Sequence, residues 1–401
     1  MSSAILHIKD SYYFEVPKFL KRSHRATRED FPAFWVRLDN EYQTWSAIRT
    51  LDLLQKSTTF KAPELSDRAA LLKHYQAWRA EHKNFAKPVG AYLENQQWFQ
   101  KLLSTDAARS EWKEIKTKAN DVALYEKSTP AWSAEKISEY NHQLDGKILI
   151  PQPFGEIKNL YERDSGFAIS KFMILELVAA LLICGFFLWL ARMMRGDIHP
   201  RGRLWNMFEA ILLYFRDHVA RPAIGGKEAD RFVPLLWTMF LFILTCNLLG
   251  IIPWLGAPTG SFAVTLGLAV VTFVTGLFFG MRKFGPIGYW KNQVPHMGLP
   301  WYMAIFIVPM IFLIEVLGLV IKHAVLGIRL LANMMAGHLV LLAVMGLAVA
   351  AAGSSMWGVT AVIAVVGSAL FSCLELFVAF LQAYIFTFLS ALFIGMAIHH
   401  H

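Results

Sequence analysis

"WYMAIFIVPMIFLIEVLGLVIKHAVLGIRLLANMMAGHLVLLAVMGLAVA", residues 301–350, is apolar almost throughout and contains no polar loop at which two upright membrane helices could turn. A helix of that length would run roughly 75 Å, against a hydrocarbon core of ~30 Å. The excess calls for tilt. After the break "AAGSSMWG" at 351–358, a second apolar run returns through residue 398. The two runs read as a hairpin of two long, strongly tilted helices. A turn hidden near Pro309, giving shorter ordinary helices, is the alternative.

Working outward, "FMILELVAALLICGFFLWLARMM" at 172–194 approaches the ~20 residues needed to cross a bilayer and ends in a basic loop with Arg192, Arg195, Arg201 and Arg203. The positive-inside rule places that loop in the cytoplasm and the N-terminal part outside. Residues 203–223, "RLWNMFEAILLYFRDHVARPA", alternate apolar and charged faces, as an amphipathic helix on the membrane surface or against a partner does. Two more spans, at 233–254 and 262–281, lead to the basic segment "RKFGPIGYWK". Its charge is again cytoplasmic, consistent with two intervening crossings. The expected fold is therefore an all-α membrane protein with about five membrane helices, an amphipathic surface helix and a mostly helical N-terminal extension.

Charge divides the chain near residue 167. Of 39 Lys+Arg and 30 Asp+Glu, residues 1–167 hold 25 and 22, leaving 14 and 8 for the rest. Residues 1–167 are expected to be a soluble extension and residues 168–401 a membrane domain. Stretches such as "RAALLKHYQAWRAEHKNF" repeat apolar positions at helical spacing. Six of the thirteen tryptophans lie in the extension, enough for a small core or a docking surface. "GKILIPQPFGEIKNLY" at 146–161, interrupted by two prolines, reads as a juxtamembrane linker. The net charge of +9 does not indicate nucleic acid, because the basic residues are interleaved with acids. Cys184, Cys246 and Cys373 sit in apolar segments without metal-ligand spacing, so neither a metal nor another cofactor is expected. The N-terminus lacks the features of a signal or transit peptide, which favours a bacterial plasma membrane over the mitochondrial inner membrane.

Beyond Arg231, apart from a basic loop, four acidic or basic residues besides histidine remain, all within apolar helices: Glu315, Lys322, Arg329 and Glu375. An arginine at bilayer depth costs ~2.5 to 3.5 kcal/mol and normally faces a polar cavity or an opposite charge. Arg329 either marks an ion pathway or is held in an ion pair with Glu315 or Glu375. At about 100° per residue, Asn333 is turned about 40° from Arg329 and His338 about 180°. Lys322 and Glu315 fall within about 40° of the arginine face. Ala332, Ala336 and Gly337 are small and admit another helix closely. On the returning run Glu375, Ala379, Gln382 and Phe386 share one face. Glu375 is a lone carboxylate able to take and release a proton, and a neighbouring His338 would make a relay with it. Each also has a plain reading as a satisfied hydrogen bonder.

"IRLLANMMAGH" at 328–338 resembles the signature of the a subunit of F-type ATP synthases, and "TCNLLGIIPW" and "FLQAYIFTFL" resemble two further family segments in the right order. The resemblance covers about residues 168–401. It implies a proton-conducting stator subunit with two half-channels to a rotating ring of c subunits, and no catalysis by this chain alone. It further implies that Arg329 is the essential arginine facing the ring, Asn333 its neighbour and Gln382 the glutamine packed opposite, with Ala336 also at the ring contact. His338 and Glu375 occupy two positions where members carry an imidazole and a carboxylate in either order. Glu315, Lys322 and Asn247 match polar positions of the family. The partners implied are the c ring, peripheral-stalk b subunits, other synthase subunits and membrane lipid. Two departures stand out: the long N-terminal extension, and His323, where a proline is common. An ion-conducting antiporter-type module of a respiratory complex is the alternative, but it would carry internal repeats and broken helices. A purely structural anchor would leave Arg329 and Glu375 replaceable.

Overall fold

Side-chain oxygens at helix starts and apolar faces on the helices organise the N-terminal part. The structure is a computed structural model that describes residues 10–81, 84, 87–193, 202–252, 255–294 and 301–399. It divides into two compact units, Glu15–Ala168 and Met1–Phe14 with Ile169–His401. Of the sequence features singled out above, Arg195, Arg201, Pro253 and Trp254 lie outside the described residues.

In the first unit the helices are α1 (Ala33–Leu38), α2 (Asn40–Lys56), α3 (Arg68–Ala80), α4 (Val89–Glu94), α5 (Gln97–Leu102), α6 (Asp106–Ala119), α7 (Val122–Ser128) and α8 (Ala134–Leu144). Asp67, Thr105, Asp121 and Ser133 cap α3, α6, α7 and α8 by accepting a backbone N–H three residues on. Leu51, Leu54, Leu93, Phe99 and Trp112 fill the core between them. The Phe99 and Trp112 rings meet edge to face with centroids 4.9 Å apart. Each such side chain contributes about 1.5 to 3 kcal/mol by leaving water. The tryptophans thus largely build an internal core: Trp35, Trp112 and Trp132 are buried, and Trp78 and Trp98 pack on its edge. Arg28 is also buried. Its guanidinium lies over Tyr125 and donates to Thr129 Oγ1 at 2.9 Å, the Pro130 carbonyl and the Glu126 carbonyl near the end of α7.

Short strands are β1 (Tyr13–Glu15), β2 (Lys147–Leu149), β3 (Gly155–Asn159) and β4 (Glu162–Gly166). The β3 and β4 strands form an antiparallel hairpin with Ile157 opposite Arg163 and Asn159 opposite Glu162. The stretch read as a linker therefore carries part of an ordered hairpin. The prolines do exclude helix there, but they leave the strand after them free to pair.

The second unit holds α9 (Lys171–Met193), α10 (Arg203–Tyr214), α11 (Val233–Ile251), α12 (Phe262–Phe284), α13 (Pro286–Lys291), α14 (Trp301–Ala350) and α15 (Trp357–Ile398). Five of them, α9, α11, α12, α14 and α15, are long and apolar enough to cross a membrane. The protein is an all-α, multi-pass membrane protein in this part. Pro309 stays inside α14. A proline can be tolerated in a membrane helix because neighbouring groups re-satisfy the freed carbonyl. The α14 and α15 helices pack on each other and both pack on α12, while α11 packs on α15. After α10 the chain continues through a wider π-type stretch, Phe215–Ala220, into a turn at Arg221–Ile224. Phe215, Val219, Ala220 and Ile224 are buried against α11 and α15 residues, whereas Arg216, Asp217, Arg221 and Asp230 pair on the other side. The alternation seen in the sequence is thus a packed face and a charged face.

Candidate functional site

Helical spacing sets where each polar group on α14 points. Arg329 is exposed, and among the described residues it makes no hydrogen bond or ion pair. Neither Glu315 nor Glu375 pairs with it. Glu315 lies 3.9 Å from Lys322 Nζ, one α14 face pairing with itself, and Glu375 is taken by His338. Ala336 is exposed and Asn333 half-buried on the same part of the helix.

His338 points elsewhere. Its Nδ1 is 2.7 Å from Glu375 Oε1, an approach that lies off the axis of a regular hydrogen bond, and its Nε2 is 3.2 Å from the Gly250 carbonyl. Because a carbonyl only accepts, Nε2 carries a proton, and a neutral imidazole then presents bare Nδ1 to Glu375. One proton can sit on either partner: a carboxylic acid beside a neutral imidazole, or a carboxylate beside an imidazolium. Both side chains are largely shielded, 16% and 10% exposed, so the shared proton is not simply exchanged with water around it.

Small residues make that approach possible. A Cβ on Gly337 would come to 3.0 Å from Glu375 Oε1, so glycine lets α15 bring its carboxylate against α14. At Gly250 a Cβ would collide with Met334 Cε and with Ala257. Gly250→Val is therefore expected to push α14 away from α11, break the His338 contact with the Gly250 carbonyl and cost about 1 to 3 kcal/mol by overpacking. The check is coupled proton pumping by the assembled complex in vesicles, which should fall about tenfold. Unaltered pumping would separate the Gly250 contact from function.

Beside this pair, Asn247 is fully buried, donating to the Ala379 carbonyl at 3.0 Å and accepting from Thr259 Oγ1 at 2.8 Å. It ties α15 to α11 and to the turn before α12. On α15, Ala379, Gln382 and Phe386 are buried, the face that Glu375 begins. No hydrogen bond joins Gln382 to Arg329 among the described residues. The Glu315–Lys322 pair lies apart from the His338–Glu375 pair and lines a cavity of about 310 Å³ with Tyr289, Asn292, His323 and His399. Sequence reasoning missed Gly250 and Thr259, which act through a backbone carbonyl and a single hydroxyl. It also passed over Glu176 on α9, a half-buried carboxylate whose signal was its isolation in "MILELVAA".

The comparisons bear on the same helices. Residues 173–395 match the family model for the ATP synthase A chain. The chain belongs to the ATP synthase A chain family. It is 41% identical over 252 residues to ATP synthase subunit a of Myxococcus xanthus, covering 61% of this chain and 79% of that one. It is 36% identical over 270 residues to ATP synthase subunit a of an Anaeromyxobacter species, covering 66% and 61%. It is 39% identical over 265 residues to ATP synthase subunit a 2 of Chlorobaculum tepidum, covering 65% and 72%. The matched region takes in almost all of the five membrane-spanning candidates and, except His399, the site residues named above. Residues 1–167 lie wholly outside it. Family membership makes this a non-catalytic membrane subunit of a proton-translocating synthase.

Proposed function

We propose that this chain supplies two proton half-channels to a rotating c ring and that Arg329 separates them. The observation that carries the reading is the placement of Arg329, exposed and, among the described residues, unpaired, between two polar groups that do not touch each other. Lys322 precedes it by seven residues and His338 follows by nine, roughly 10 Å and 14 Å along a helix. A proton entering from the outside passes the Asn247, Glu375 and His338 groups and neutralises a carboxylate on the adjacent c subunit. The neutral carboxylate moves into lipid. After nearly a full turn it meets the cavity lined by Glu315 and Lys322 and releases the proton inward, because the Arg329 cation favours the ionised carboxylate. The same cation repels a proton and blocks direct passage between the half-channels. A membrane potential contributes ~2.3 kcal/mol per charge per 100 mV to this path.

In this arrangement α14 and α15 are strongly tilted, the basic loops face the cytoplasm of a bacterial cell, and residues 1–167 form a soluble extension on the outer side. The amphipathic segment 203–223 lies along the membrane surface, and peripheral-stalk b subunits complete the stator. The ring contact is tested by cross-linking. With Cys184, Cys246 and Cys373 replaced by serine, Ala336→Cys should form a disulfide with a cysteine placed beside the c-subunit carboxylate, stalling rotation until it is reduced. Cross-linking from Leu347→Cys instead would put the ring on another part of α14.

A further inference from the structure

We propose that His323 is a proton-transfer group of the inner cavity, taking up and returning protons at Nε2 while Nδ1 stays fixed. The proposal rests on the inner half-channel reading above and adds to it a residue with a different chemistry.

His323 is 8% exposed, and its Nδ1 lies 2.9 Å from the Leu319 carbonyl, one turn back on α14. A carbonyl only accepts, so Nδ1 donates, and the neutral ring has its lone pair at Nε2. The ring is clamped between Phe273 of α12, with centroids 5.2 Å apart and nearly perpendicular, and Phe393 of α15, with centroids 4.8 Å apart. Three helices thus fix both the ring plane and its tautomer. No second hydrogen bond satisfies Nε2 among the described residues, and His323 lines the cavity of about 310 Å³. A space of that size has room for several waters, with Asn292, Gln293 and Glu315 in its lining as polar partners.

The charged and titratable groups around His323 define what the imidazole can exchange with. From its own helix they are Glu315 and Lys322, from α13 Tyr289, and from the segment after α15 His399; what α12 brings is aromatic, Phe273 against the ring and Phe284 at the cavity. Glu315 and Lys322 already partner each other at 3.9 Å, a charged pair in the cavity wall. Neither lysine nor arginine exchanges protons readily near neutrality, whereas imidazole does. The step balances simply. Nε2 accepts a proton through a cavity water from the c-subunit carboxylate, giving an imidazolium, and then loses that same proton to water or Glu315 on the way out. The Nδ1 proton remains on the Leu319 bond throughout. In reverse pumping the order is inverted.

The test uses vesicles carrying the whole assembly with the cytoplasmic face outward, so that bath pH sets the pH at this cavity. His323→Gln keeps the size and a donor for Leu319 but removes the titrating nitrogen. Its ATP-driven acidification should be about 5- to 10-fold slower, a smaller loss than the 10²–10⁴ typical of general acid–base groups because waters offer a bypass. Its rate should also lose the bath-pH dependence expected of wild type where the imidazole titrates. His323→Ala should be slow as well and recover at least about threefold when imidazole is added to the bath. Wild-type rate and pH profile in His323→Gln would overturn the proposal. So would a slow His323→Ala that imidazole does not rescue, which would mark His323 as packing for Phe273 and Phe393. Where His323→Gln assembles poorly, His323→Asn is measured per assembled complex and read in the same way. Arg329→Ala, run alongside, tests the half-channel reading separately: if it pumps normally that reading fails whatever His323 does.

Discussion

Arg329→Ala is expected to abolish coupled ATP-driven acidification, by at least about 100-fold, while passive proton leak is retained or rises. The size follows from what the guanidinium does at the ring. At an effective dielectric of about 20, opposite charges at 4 Å attract by about 4 kcal/mol. Net of hydration, a hydrogen bond to a charged group is worth about 1.5 to 3 kcal/mol, and each 1.36 kcal/mol is tenfold in rate. Without the cation, a passing carboxylate keeps its proton at the inner cavity and rotation stops transferring charge. The leak goes the other way because no positive charge repels a proton between the two polar groups. Arg329 is unpaired within the described chain, so the substitution orphans no acid there and should leave folding and assembly unchanged. Arg329→Lys should fall between, since lysine keeps the charge and loses the planar fork. Acidification and dissipation of an imposed proton gradient, both measured per assembled complex, check the pair of effects. Wild-type pumping in Arg329→Ala would reduce the residue to an exposed cation without a transport role.

What could be read in the sequence was whatever depends on neighbours along the chain. The spans were legible because about twenty apolar residues have few other fates. The long helix α14 was legible because residues 301–350 offer nowhere to turn, although Pro309 left a second reading open until the structure kept it inside the helix. Helical spacing put Glu375, Ala379, Gln382 and Phe386 on one face, and that face is the shielded one. Spacing also turned His338 away from Arg329. Contacts between distant segments were not legible. Nothing in "TCNLLGIIPW" announces that the Gly250 carbonyl receives His338, 88 residues further on, or that Thr259 fastens Asn247. The environment of His323 comes from Phe273, Phe393 and the segment around Tyr289, three places that only the fold brings together. In the extension, "GEIKN" and "ERDSG" have too few β-branched or aromatic residues to signal strands, so the β3–β4 hairpin was hidden behind its prolines.

Exchanging the members of the His338–Glu375 pair is expected to rescue most of what either single change destroys. His338→Glu alone puts two carboxylates within hydrogen-bonding distance, where both cannot ionise at once and neither can donate to the other once one proton is lost. Glu375→His alone places two imidazoles there, and a second proton on them is opposed by the first. Each single variant should lower coupled pumping about 50- to 100-fold. The double variant, His338→Glu with Glu375→His, restores one acid and one base 2.7 Å apart in the starting geometry and so restores a proton that either partner can hold. Recovery should stop about three- to fivefold short of wild type, for a reason visible in the backbone. The Gly250 carbonyl receives Nε2 of an imidazole on α14, and a glutamate at 338 has no donor for it unless protonated. An imidazole at 375 would also meet Gly337, where the present carboxylate already sits at the limit of contact. Pumping rates of the two singles and the double, set out as a cycle, give the coupling directly. Additive losses in the double variant would mean that the two side chains act on protons independently, and that their closeness in the structure serves packing alone.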